Sequence, residues 1–231
     1  MYHYAWLSLS VIMFAIWVAI YLSLKSKIAR REMFVVSAWT SLLGLTEPLF
    51  VPAYWNPPSL FNLAERTGFD LESLLFAFAV GGIVVSAYEY IFAAAHLSIS
   101  HHNHHHRFHL LALASSPLAL LIFLFFLPIN VIYSASLALL VGFFSTWYCR
   151  PDLVRKMAVS GVLFAAIYFL SFSALRVLFP GYIETVWNLP ALSGWFAVGM
   201  PAEELLWAFT FGLYWSSVYE HLTWHKLNNI K

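Results

Sequence analysis

Residues 72–90 read ESLLFAFAVGGIVVSAYEY, with a carboxylate at Glu72, another at Glu89 and no charged side chain between them. The run is continuously apolar, and its length approaches the roughly 20 residues an α-helix needs to cross a hydrocarbon core. A barrel strand would instead alternate lipid-facing and lumen-facing residues. The stretch therefore reads as a membrane-spanning helix. Residues 203–221 read EELLWAFTFGLYWSSVYEH and align with it without a gap, identical at nine of nineteen positions. Shared membrane composition explains the matched Leu and Phe. It does not explain the matched acids, Glu72 with Glu203 and Glu89 with Glu220. Upstream, Trp55-Asn56-Pro57-Pro58 corresponds to Trp187-Asn188-Leu189-Pro190 with a one-residue shift. The chain thus reads as an internal duplication.

The rest of the chain has the same character. Of its 231 residues 61% are hydrophobic and only 10% charged, against about 25% charged in soluble domains, which places it in the bilayer class. Seven spans are predicted, at 4–24, 33–53, 71–98, 109–128, 130–149, 157–179 and 201–222. The repeat opens the third and the seventh. An even offset means that both copies cross in the same direction, as parallel repeats related by an axis along the membrane normal. The predicted fold is an all-α membrane protein of about seven transmembrane helices, two parallel three-helix repeats joined by a linking helix. Residues 1–100 form the first repeat, 101–129 a His-rich loop with the linking helix, and 130–231 the second repeat.

Segments 54–70 and 180–200 are rich in Pro, Trp and Tyr, residues suited to structured loops at the headgroup level. The stretch Tyr4–Leu24 is too long for a signal-peptide core and lacks a basic region before it, so it reads as the first span. Lys25, Lys27, Arg30, Arg31, Arg107, Arg150, Arg155, Lys156, Lys226 and Lys231 fall on one side of the predicted topology, with Arg66 and Arg176 on the other. The positive-inside rule makes the first side cytoplasmic, with the N-terminus outside and the C-terminus inside a prokaryotic cytoplasmic membrane.

A net charge of +1 argues against nucleic acid as a partner. The single Cys149 excludes an internal disulfide and reads as excluding a cysteine-based metal site. No metal or cofactor is expected. The partner expected from composition is lipid.

Ionisable groups in or at the edge of a span are candidate functional residues. These are Glu47 in the second span, Glu72 opening the third, and Glu203 with Glu204 opening the seventh. On helical spacing Glu72 shares a face with Phe76, Ala79 and Ile83, and Glu203 with Trp207, Thr210 and Tyr214. A carboxyl group beside aromatic faces in a dry pocket can act as a general acid, and the ring faces can stabilise a cation. The plainer reading is that first-turn acids serve the helix dipole and the free N–H groups. Glu89 and Glu220, near basic loops, read as anchoring or pairing residues.

Pro201-Ala202-Glu203-Glu204-Leu205-Leu206-Trp207 resembles the P-x-E-E-x-x-F signature of the integral-membrane lycopene cyclases, the heterodimeric bacterial type and the fused archaeal and fungal type. Leu71-Glu72-Ser73-Leu74-Leu75-Phe76 resembles the acidic signature of the other half, often written with a second acid after the Glu. Tyr54-Trp55-Asn56-Pro57-Pro58 is similar to the same group. Two positions depart from the pattern: Ser73 stands where an acid is often found, and Trp207 replaces the Phe. The resemblance implies redox-neutral cyclisation of a linear carotenoid end group, and with it an apolar polyene or isoprenoid substrate drawn from the bilayer as the partner. It places proton transfer on Glu203 and Glu72, with Glu204 in support and Glu47, followed by Pro48, as a further candidate. Phe76, Trp207, Tyr214, Trp55 and Trp187 are the aromatic residues expected to line the substrate groove.

Two other classes stay open. A non-enzymatic polyene- or lipid-binding protein would use the same aromatic cleft. A metal-dependent membrane oxidase would use histidine boxes, and His101, His104 and His105 fit H-x2-H-H within the run His101–His109. His221 and His225 are spaced H-x3-H, and His96 lies close to the run. A single low-complexity run makes one box, whereas di-iron enzymes use several separated ones; polarity at the membrane surface is the simpler explanation.

Overall fold

In the computed structural model, which describes residues 2–92, 94–98 and 109–229, helices make up nearly all of the regular structure. Helix α1 (Ala5–Ser23) leads to α2 (Lys27–Ser41), whose first turn is capped by Ser26 accepting from Ala29 N at 3.3 Å. The chain then tightens into a 3-10 turn (Leu42–Thr46) and ends in the short α3 (Glu47–Phe50). Pro48 accounts for the change of pitch: its ring has no N–H to donate to the carbonyl four residues back and collides with it. Helix α4 (Leu63–Thr67) belongs to the first loop, and α5 (Leu71–Phe92) is the quoted repeat segment. Its N-cap is Asp70, whose carboxylate accepts from Ser73 N at 2.5 Å.

The chain continues with α6 (His109–Phe126) and α7 (Val131–Cys149), an antiparallel hairpin turned at residues 127–130 and capped by Asn130. Helix α8 (Val154–Leu178) follows, then α9 (Tyr182–Val186) in the second loop, α10 (Ala202–Trp215) and α11 (Val218–Thr223). Strand β1 (Ala94–Ser98) pairs antiparallel with β4 (His225–Asn229), and β2 (Phe196–Ala197) with β3 (Met200–Pro201).

Among the described residues six segments are long and apolar enough to cross a membrane: Ala5–Ser23, Lys27–Phe50, Leu71–Phe92, His109–Phe126, Val131–Cys149 and Pro151–Leu178. The chain is an all-α membrane protein. The seventh predicted span, 201–222, is divided at Ser216–Ser217 into α10 and α11. Ser217 Oγ donates back to Tyr214 O at 3.0 Å, a local bond that competes with the helical ladder. The third span stops at Phe92 rather than 98, because residues 94–98 leave the helix to pair with β4. The histidine run at 101–106 lies outside the described residues.

Burial follows the bilayer pattern. Phe125, Phe126, Val177, Trp39 and Leu170 are exposed on the outer faces of their helices, as side chains facing lipid would be. Helix α5 packs on α1 and α2, and α10 packs on α7 and α8. Gly81 and Gly212, matched in the sequence alignment, mark these contacts: a Cβ at Gly81 would meet Thr40 of α2, and one at Gly212 would lie 2.8 Å from Gly161 Cα of α8. At the basic end of the bundle Lys156 Nζ donates to Glu89 at 2.6 Å and to Glu220, with Glu32 at 3.6 Å. All four side chains are buried. At the opposite end, which we call the loop end, the two Trp-Asn segments meet across the molecule.

Candidate active site

Between the two halves lies a cavity of about 460 Å³. Its walls come from α1, the α2–α3 segment, α5, α6, α7, α8, α10 and both loops. Along the last part of the chain Glu204, Trp207, Phe211, Tyr214, Val218 and Leu222 line it, a stripe on one side of α10 and α11. The stripe runs from the first turn of α10 into α11. Rings stack along it: Trp207 on Phe211 at 5.2 Å and 16°, and Phe211 on Trp215 at 5.4 Å and 15°.

The carboxyl groups divide into two kinds. Glu47 and Glu204 line the cavity; Glu72 and Glu203 do not. Glu72 Oε1 accepts from Leu60 N at 2.7 Å and so holds the first loop. Glu203 Oε1 accepts from Ser193 N at 2.8 Å and from Tyr133 Oη at 2.5 Å, and so holds the second. The acids matched by the alignment thus make matched contacts, each taking a backbone N–H of the loop before its helix.

Glu204, 5% exposed, is held by three donors. Tyr54 Oη donates to Oε1 at 2.5 Å, Trp187 Nε1 donates to the same oxygen at 2.8 Å, and Tyr168 Oη donates to Oε2 at 2.5 Å. The ligands come from the first loop, the second loop and α8. Burial, and then the adjacent Glu204 carboxylate, push the Tyr54 hydroxyl well above its ordinary value, which keeps it a donor.

Glu47 is placed by the turn after α2. Gly44 allows that turn to touch α5: a Cβ there would lie 2.8 Å from the backbone of Ser73 and Leu74. Three residues on, Glu47 comes within interaction reach of Ser73 and Trp55, and its Oε1 makes no hydrogen bond. Ser73, which the alignment pairs with Glu204, also lines the cavity and accepts from Trp6 Nε1 at 3.2 Å. The first half therefore presents a hydroxyl where the second presents a carboxyl, and Glu47 stands beside that hydroxyl.

Phe76, Trp207, Tyr214, Trp55 and Trp187 all line the cavity. Around the carboxyl end the rings form a cage: Trp6 and Phe76 at 4.8 Å, Trp55 and Trp187 at 5.2 Å, Tyr168 and Trp207 at 5.7 Å. Sequence reasoning passed over Tyr54, Tyr168 and Trp6. Tyr54 lies within the Tyr54-Trp55-Asn56-Pro57-Pro58 motif, and Tyr168 is a hydroxyl in an apolar span, so intramembrane hydroxyls as well as carboxylates carry the signal. Among the described residues no histidine or cysteine lines the cavity, and the polar groups there are carboxyl, hydroxyl and indole. Such a set can donate a proton, accept one and stabilise a carbocation.

Residues 130–222 match the family model described as lycopene cyclase. No curated protein sequence and no solved structure matches the chain.

Proposed function

We propose, from the match of residues 130–222 to the lycopene cyclase family model, that the protein cyclises the end group of a linear carotenoid by redox-neutral proton transfer. The observation that carries this reading is the pairing of two buried carboxyl groups, Glu47 and Glu204, inside one aromatic cavity.

Glu47 is the proton donor. Among the described residues the Oε1 edge of Glu47 is engaged by no hydrogen bond, and Glu47 lies at the cavity wall, so a proton held there can be passed to a substrate in the cavity. The proton adds to the terminal double bond of the polyene and leaves a tertiary carbocation. The neighbouring internal double bond attacks that carbon, closes a six-membered ring and moves the positive charge onto it. The faces of Trp55, Phe76 and Trp207 shield the charge through their quadrupoles, and the dry walls exclude water that would trap it. Loss of a proton from a carbon beside the charge forms the ring double bond.

Glu204 accepts that proton. Tyr54, Trp187 and Tyr168 fix its plane and keep both oxygens as acceptors, a preorganised negative site at the position where charge develops. One proton enters, one leaves, and no electrons are exchanged. Glu72 and Glu203 position the loops that carry Trp55 and Trp187. The unreacted chain of the polyene lies along the Trp207, Phe211 and Trp215 ladder, with its end group at the carboxyls. The loop end then faces outside and the basic end the cytoplasm.

The test is conversion of lycopene by the purified full chain in lipid vesicles prepared in deuterium oxide, with no redox cofactor added. The reading expects a cyclic product carrying one deuterium per ring formed. Binding without conversion would overturn it in favour of a polyene-binding protein.

A further inference from the structure

We propose that His109, Cys149 and His221 form a binding site for a zinc-class transition metal ion at the basic end of the bundle. One nitrogen of each imidazole and the Cys149 sulfur lie within 4.8 Å of one another. The pair whose separation is fixed by contact, Cys149 Sγ and His109 Nδ1, is 3.7 Å apart. Tetrahedral zinc with bonds of roughly 2.3 Å to sulfur and 2.05 Å to nitrogen would set that distance at about 3.6 Å. The remaining separations close with movements of an ångström or so.

The second observation is an orphaned group. His221 is 1% exposed, and among the described residues its Nε2 has no hydrogen-bond partner. Its other nitrogen, Nδ1, faces Thr146 Oγ1 at 3.4 Å. This is the usual division in a metal-binding histidine, one nitrogen oriented by an outer partner and the other left for the metal. His109 is held by Trp224, stacked at 4.4 Å and 24°, and meets His221 edge to face at 4.7 Å. Arg150 is the nearby cation, and Asp152 balances it at 2.8 Å. A single cysteine excludes an all-cysteine site, but one thiolate with two imidazoles is a complete three-ligand set, leaving the fourth position to water.

The three ligands come from the first residue of α6, the last residue of α7 and α11. Glu204 lies in the first turn of α10, whereas His221 lies in α11, beyond the break at Ser216–Ser217. The metal is therefore a staple that closes the basic end of the cavity, remote from the carboxyl end.

Cobalt(II) is the probe, because a cobalt–thiolate bond gives a near-ultraviolet charge-transfer band that histidine-only sites lack. Chelator-treated full-length protein in detergent is titrated with cobalt(II) and then zinc(II). The expected result is a band that saturates at one equivalent and is bleached by zinc. Cys149→Ser abolishes it, and His221→Asn weakens cobalt affinity more than about ten-fold, the loss seen even for an outer-shell partner. A variant with His101, His102, His104, His105 and His106 all changed to Ser keeps it. No band in the unmodified protein, or a band removed by the five-histidine change, would overturn the proposal.

Discussion

Trp55 and Trp187 lie opposite each other in an antiparallel bridge, with ring centroids 5.2 Å apart. Asn56 N donates to Val186 O at 2.9 Å and Asn188 N donates to Tyr54 O at 2.9 Å. The two bonds exchange the two sequence copies, so the Trp-Asn segments recognise each other. At the far end of the bundle, Lys156 is likewise shared by Glu89 and Glu220, the other matched acids. The cavity lies between these two meeting points, and the upper one delivers Tyr54 and Trp187 to Glu204.

Trp187→Phe keeps the ring and removes one of the three donors to Glu204. A hydrogen bond to a charged group is worth about 1.5–3 kcal/mol. Initial rates of end-group cyclisation in vesicles should fall by roughly ten-fold or more, with polyene binding within a few-fold of the unmodified protein. An unchanged rate would separate the indole from the acceptor's function.

Glu203→Gln and Glu72→Gln should act on stability rather than chemistry. Each weakens a bond to a loop N–H, and the loss of a buried partner costs about 1–3 kcal/mol. Thermal unfolding in detergent should shift down for both variants, while cyclisation measured well below the transition persists. Abolished turnover with an unshifted transition would return the proton-transfer role to this pair.

Lys156→Met leaves three buried carboxyl groups without their shared cation. Removing one partner from a buried ionic network costs about 3–5 kcal/mol. The variant should be recovered from membranes in low yield, and adding Glu89→Gln and Glu220→Gln should restore much of it. A single variant as stable as the unmodified protein would show that the cluster holds nothing together.

Ala138 lines the cavity from α7. Ala138→Phe places a ring in the space assigned to the polyene chain. The unfolding temperature should stay within a few degrees, and conversion of a full-length polyene should drop by more than ten-fold. Full conversion would mean that the substrate lies elsewhere.

The membrane class was legible because continuous apolar runs have one structural outcome in lipid. The aromatic lining was legible too, since helical spacing from Glu203 already put Trp207 and Tyr214 on one face. The division among the acids was not. Glu203 and Glu204 are adjacent, and which of them faces the cavity depends on the approach of α10 to α7 and α8, a tertiary fact. Glu47 gains its place from the Pro48 change of pitch and the Gly44 contact with α5, neither of which periodicity reveals. The break at Ser216–Ser217 also escaped, because its apolar flanks read as one span.

The most direct measurement is pigment analysis, by chromatography and absorption spectrum, of lycopene-producing bacteria expressing the unmodified chain, Glu204→Gln or Glu203→Gln. The expected result is a cyclic carotenoid with the unmodified chain and with Glu203→Gln, and only lycopene with Glu204→Gln present in the membrane at equal amount. Cyclic product at the unmodified level from Glu204→Gln, or lycopene alone from the unmodified chain, would contradict the assignment of the cavity carboxyls as the proton-transfer pair.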